Sequence, residues 1–178
     1  MARRSPVGGL YAFRIGPGEA CGLCTHEVTA DNDGGGPRFG PLVRFFRGID
    51  ARAPEDTDAI LSRPVLTSLF VPLGSMLWHK QARKLAKVTV PPALAEPPVF
   101  RVGGSADPAH YFLVRGVGDE QVILEGPVSC DEIAAAPEEA LGGIGVVERY
   151  YRFDLTPERA YAFETGEAVL DEERDALF

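Results

Sequence analysis

No window of this 178-residue chain approaches the roughly 18 apolar residues that a membrane helix needs, so no membrane partner is expected. Arg3 and Arg4 are followed by Gly8 and Gly9, not by an apolar run, and a secretion signal is not expected. Cysteine is scarce. Three thiols, an odd number, read as reduced side chains in a cytoplasm and exclude a disulfide framework. Histidine is as scarce. His26, His79 and His110 stand far apart, and none has a metal-ligating or nucleophile motif beside it. Neither Gly-x-Ser-x-Gly nor His-Glu-x-x-His occurs, which removes the common hydrolase and zinc-protease signatures.

Positive charge is short in one half only. The first 89 residues hold 12 Lys/Arg against 8 Asp/Glu, and the remainder holds 6 against 18, so a +4 half meets a −12 half. Phosphate contacts need a basic footprint, so nucleic acid is not the expected partner. An acidic half suits a basic partner, or serves only to keep the chain dissolved.

What is present reads as one strand-rich domain spanning 1–178, with 154–178 as a helical acidic extension. Residues 8–16 alternate aromatic and branched side chains between glycines and read as a strand. Pro17-Gly18 marks a turn into a second strand over 20–28. The Asp-Asn-Asp-Gly-Gly-Gly-Pro run at 31–37 reads as a loop. Its glycines lack the Lys-Ser/Thr of a phosphate cradle. Further strands are expected at 41–47, 64–71, 99–102, 110–115, 121–124 and 145–153. The strand at 64–71 is apolar on both sides and reads as central in its sheet.

Residues 53–61 suit a short helix or turn with acidic residues in its first turn. The basic stretch 79–90, with Lys80, Arg83, Lys84 and Lys87, fits either a helix or a strand. Four prolines within 91–98 favour extended chain. Ser129 and Glu132 form a capping-box pattern at the start of a helix over 129–136. Thr156-Pro157-Glu158 announces another helix, to about Glu164. The expected fold class is α+β, a mainly antiparallel sheet or partly open barrel with two or three short helices.

Cys21-Gly-Leu-Cys24, with His26 close by, is the most visible chemical motif. It can be half of a zinc site, a redox pair, or two small apolar residues in a strand. No second ligand pair follows, and a redox pair needs a helix start, so the strand reading is preferred. Carboxylates are plentiful, but nothing in the sequence marks one pair for acid–base work. Adjacent aromatics in a strand face opposite sides, so one of Tyr150 and Tyr151 is expected at the surface.

The order of segments resembles a family. Gly-Leu-Tyr-Ala-Phe-Arg-Ile-Gly at 9–16 is followed by Val-Arg-Phe-Phe at 43–46 and Ile-Leu-Ser-Arg-Pro-Val-Leu at 60–66. Then come the single tryptophan, Trp78, and Glu-Pro-Pro-Val-Phe at 96–100. This succession, over about 8–102, is similar to the bacterial immunity protein 26 family. The 31–37 loop, the basic segment after Trp78 and the tail beyond Arg149 depart from the family pattern. The resemblance implies a non-catalytic, cofactor-free protein that binds and blocks a toxin domain. Against a cationic toxin the acidic half is the natural face. Asp119, Glu120, Tyr150, Tyr151, Asp171, Glu172 and Glu173 are then the expected contact residues, with Trp78 assigned to structure before interface. A metal or redox protein using Cys21 and Cys24, and an accessory subunit of a larger assembly, remain as alternatives.

Overall fold

The computed structural model describes residues 5–28, 40–103, 111–117 and 120–169. Four strands follow one another as an antiparallel meander: β1 (Gly9–Ile15), β2 (Gly18–His26), β3 (Leu42–Asp50) and β4 (Val65–Phe70). A fifth, β5 (Ala82–Lys87), joins the opposite edge beside β1, so the spatial order is β4-β3-β2-β1-β5. A second sheet holds β6 (Val99–Val102), β7 (Phe112–Arg115) and β8 (Val122–Ile123). Both sheets are open, so the fold is α+β and not a barrel. Six short helices are described, where two or three are predicted: α1 (Thr57–Leu61), α2 (Leu73–Trp78), α3 (Pro92–Ala95), α4 (Cys130–Ala135), α5 (Ile144–Arg152) and α6 (Pro157–Glu164). None of them is long and apolar enough to cross a membrane.

Period-two alternation explains the two cores that flank the larger sheet. Tyr11, Phe13 and Ile15 face one side with Val43 and Phe45, where α5 packs with Val147, Tyr150 and Tyr151. Leu10, Ala12 and Leu23 face the other, against Ile60 of α1 and Leu94 of α3. Leu155 and Ala160 belong to the first core, so the chain from 155 to 160 is part of the packed body.

Local signals were sound at several helix ends. Asp56 caps α1 by accepting from the Asp58 and Ala59 amides, and Ser129 with Glu132 forms the expected capping box on α4. Thr156 caps α6, with Pro157 at its first position. Three readings are corrected. The strand expected at 145–153 is helix α5. Its buried Val147, Tyr150 and Tyr151 lie at spacings of three and four, and Arg149 and Arg152 sit in the last turn, where the helix dipole favours cations.

The strand at 64–71 is not central. β4 is an edge, and its end is covered because the Phe70 amide donates to the Ala140 carbonyl at 3.1 Å and the Gly142 amide to the Phe70 carbonyl at 2.8 Å. Phe70 also packs on Phe100 of the second sheet, 5.5 Å between centroids. The proline-rich 91–98 stretch contains one helical turn, α3, because Pro92 occupies a first-turn position where its missing amide costs nothing. The 31–37 loop and His110 lie outside the described residues.

Candidate functional site

Of the seven residues expected at a partner surface, three lie among the described residues, and one of these is exposed. Tyr150 and Tyr151 are 7% and 3% exposed, because a helix places both on the side that meets the sheet. The Tyr151 hydroxyl donates to the Phe46 carbonyl at 2.5 Å and lies 3.4 Å from the Cys21 carbonyl. Both carbonyls sit where the strand registers slip, between Ala20 and Gly22 and between Phe45 and Phe46. Tyr151 is thus an internal tie, and burial pushes its phenol well above the ordinary range. Glu120 is exposed just before β8. Asp119, Asp171, Glu172 and Glu173 lie outside the described residues.

Cys21 and Cys24 are both buried in β2, and they belong to opposite cores. Burial pushes their thiols up to about 11 and about 12. Side chains on opposite faces of a sheet cannot share one ion or one disulfide, which opposes the zinc and redox readings. Among the described residues, no His/Cys/Asp/Glu group is placed to hold a metal.

Two of the concave regions gather three or more charged side chains. The first is a cleft of about 400 Å³ between α5 and α6. Val146, Arg149 and Tyr150 of α5 and Ala160, Phe163 and Glu164 of α6 project into it, each set spaced three and four apart. Glu138, Ala140, Leu141 and Leu155 complete the lining. Beneath it the Arg101 guanidinium, 0% exposed, donates to both Glu164 oxygens and to the Ala136 and Pro157 carbonyls. Burial, then the neighbouring Glu164, raises the Glu138 carboxyl above its ordinary range, against the pull of Arg101. The two carboxylates are matched in number by Arg101 and Arg149, so the cleft carries little surplus charge.

The second region lies between the end of α2 and the β1–β2 turn. Leu73 and Met76 bury one side of α2, and the helix then ends in a Schellman motif. The Gln81 amide donates to the Met76 carbonyl at 2.8 Å, and the Lys80 amide to the Leu77 carbonyl at 3.2 Å. Lys80 takes the left-handed position at φ 56°, a place usually given to glycine. That ending leaves Trp78, the chain's one tryptophan, 82% exposed, beside half-exposed Leu77. The expectation of Trp78 as a structural residue is therefore reversed.

Two adjoining hollows, of about 440 and about 400 Å³, continue from Leu77 over β1 to the β1–β2 turn and the residues just after β3. They share Arg14, Glu19 and Arg83, and Arg52 and Lys80 line one each. Glu19 accepts from two of the Arg83 guanidinium nitrogens and from the Ala53 amide, and these bonds hold its carboxyl down at about 2. The side chains of Arg14, Arg52 and Lys80 make no hydrogen bond or ion pair among the described residues.

This patch was missed in the sequence because its members come from three separate segments. A partial signal existed. Trp78 falls off the Leu73–Met76 stripe, and Arg14 takes the outward position next to inward Phe13. No protein-family model, no curated protein and no solved structure matches the chain.

Proposed function

We propose that this chain is a non-catalytic binding protein of the immunity type, which blocks a toxin domain by covering it with the surface around Trp78. The observation that carries this reading is the 82% exposure of a tryptophan held at the end of a tightly closed helix. Tryptophan and arginine are the residues that most often dominate protein interfaces, and Leu77, the chain neighbour of Trp78, lines a hollow that continues into one with Arg14, Arg52 and Arg83. The support includes the segment order that resembles the immunity protein 26 family. The acidic half keeps a secondary role, because only Glu120 of the expected contacts is exposed among the described residues.

The test is protection in living cells. The chain is co-expressed with a toxin domain encoded beside its gene, and survival is measured. Trp78→Ala is expected to abolish protection with an unchanged circular dichroism spectrum, because the side chain contributes little to the core. Glu120→Lys is expected to leave protection intact. Full protection by Trp78→Ala, or loss of protection in Glu120→Lys alone, would falsify the assignment.

A further inference from the structure

We propose that the cleft between α5 and α6 binds a small zwitterion with an apolar body, of the size of a free aromatic or branched amino acid. The cleft shares no lining residue with the hollows that continue from Leu77, so this is a second site and stands apart from the docking role. Three observations carry it.

The first is a pair of opposite charges left unjoined. Glu164 is already spent, because the Arg101 guanidinium donates to both of its oxygens. That leaves Glu138 and Arg149 as the free charges of the lining. Neither side chain makes a hydrogen bond or ion pair among the described residues, and the two do not pair with each other. A cationic guest satisfies Glu138 and is repelled by Arg149, and an anionic guest meets the reverse. A guest with both an ammonium and a carboxylate answers the two together and leaves the cleft as neutral as before.

The second is a hydroxyl. Tyr150 is buried and lines the cleft, yet its hydroxyl has no hydrogen-bond partner among the described residues, unlike that of Tyr151. Such groups are rare at this depth in native proteins. Burial pushes the phenol up to about 12, and Glu138 is the charge that acts on it most strongly. The hydroxyl therefore keeps its proton at neutral pH, and its oxygen still accepts. With the Glu138 carboxylate it forms a seat for an ammonium.

The third is size and lining. A volume of about 400 Å³ lies near the low end of small-molecule pockets, which run from roughly 300 to 1,000 Å³. A folded partner cannot enter it, whereas one amino acid can. Val146, Leu155, Ala160 and Phe163 form an apolar wall against which the body of such a guest sheds water.

The intact chain is titrated with L-phenylalanine, phenethylamine, phenylpropionate and glycine, and its backbone amide resonances are followed. Phenylalanine is expected to give saturable shifts centred on α5 and α6. Phenethylamine and phenylpropionate each lack one charge and are expected to bind about tenfold more weakly. Glycine lacks the body and is expected not to saturate. Two variants separate the ends of the guest. Glu138→Gln is expected to weaken phenylalanine and phenethylamine about tenfold without weakening phenylpropionate. Arg149→Gln is expected to weaken phenylalanine and phenylpropionate about tenfold without weakening phenethylamine. The amide spectrum of each variant shows directly that it is folded. Phenethylamine or phenylpropionate binding as tightly as phenylalanine rejects the zwitterion, and glycine doing so rejects the apolar body. Shifts centred away from α5 and α6, or two variants that weaken all compounds alike, reject the assigned seats. Phenylalanine that fails to saturate rejects the site.

Discussion

At Arg101 a whole guanidinium lies out of water, held by Glu164 and two main-chain carbonyls. At Arg83 44% of the side chain stays in solvent and a single carboxylate meets it. The first arrangement turns charge inward to lock the second sheet to α6. The second leaves charge facing outward, with Arg14, Arg52 and Lys80 unspent beside it. Desolvated pairs fix structure and tolerate no missing member, whereas wet pairs cost little to rearrange and remain available to a guest. The contrast explains why the charge-balanced cleft between α5 and α6, though well shaped, is the less suited of the two to capture a partner.

The contrast has consequences of decreasing size. Arg101→Met leaves Glu164 without its guanidinium and strands the buried Ala136 carbonyl, so chemical denaturation is expected to find a loss of about 3–5 kcal/mol. A loss below about 1 kcal/mol would mean that the charge around α6 is as wet as that at β5. Lys80→Gly acts oppositely at the end of α2. Relief of the left-handed backbone is expected to raise stability by about 1 kcal/mol while removing one cation from the hollow beside Leu77. Thermal unfolding measures the first effect and Trp78 emission the second. Unchanged or lower stability would show that the lysine carries no backbone strain.

The smallest effects concern acid, and their signs differ between the regions. The Glu19 carboxyl is lowered to about 2 by Arg83, so its contribution is full above 4.5 and fades as pH falls from there toward 2. Solvent screening limits that contribution to about 1 kcal/mol or less. The Glu138 carboxyl is raised by burial, so its ionisation costs stability at neutral pH and nothing below 4.5. Glu138→Gln is therefore expected to gain about 0.5 kcal/mol at pH 7 and to match the parent at pH 4. Glu19→Gln is expected to be weaker than the parent at pH 7 and to converge with it only toward pH 2. Unfolding curves across this range that converge at the same pH for both variants would erase the distinction.

Much of the framework was legible in the chain. β1, β3, β6 and the caps at Ser129 and Thr156 follow from alternation and from side chains that satisfy helix-end amides, signals confined to a few neighbouring residues. α5 was misread because the Tyr150–Tyr151 pair mimics a strand, while its helical stripe shows only when Val147 is counted with them. β4 was placed in the centre because burial on both faces looks the same whether strands or a neighbouring sheet provide the cover. The hollows were illegible for a different reason. Arg14, Arg52 and Arg83 meet only because β5 crosses to the far side of β1, and no local pattern records which edge a strand will choose.

The hydroxyl of Tyr151 sets a limit on how this protein can be divided. The strands from β1 to β5 end at Lys87 and look like a portable module. Yet the slipped registers of β2 and β3 leave the Cys21 and Phe46 carbonyls turned toward a phenol that the ribosome adds some sixty residues after that last strand. A transplant that stops before the fifth helix would carry a dry, orphaned acceptor in its centre, so grafting the tryptophan-bearing edge onto another scaffold requires taking the helix that seals it.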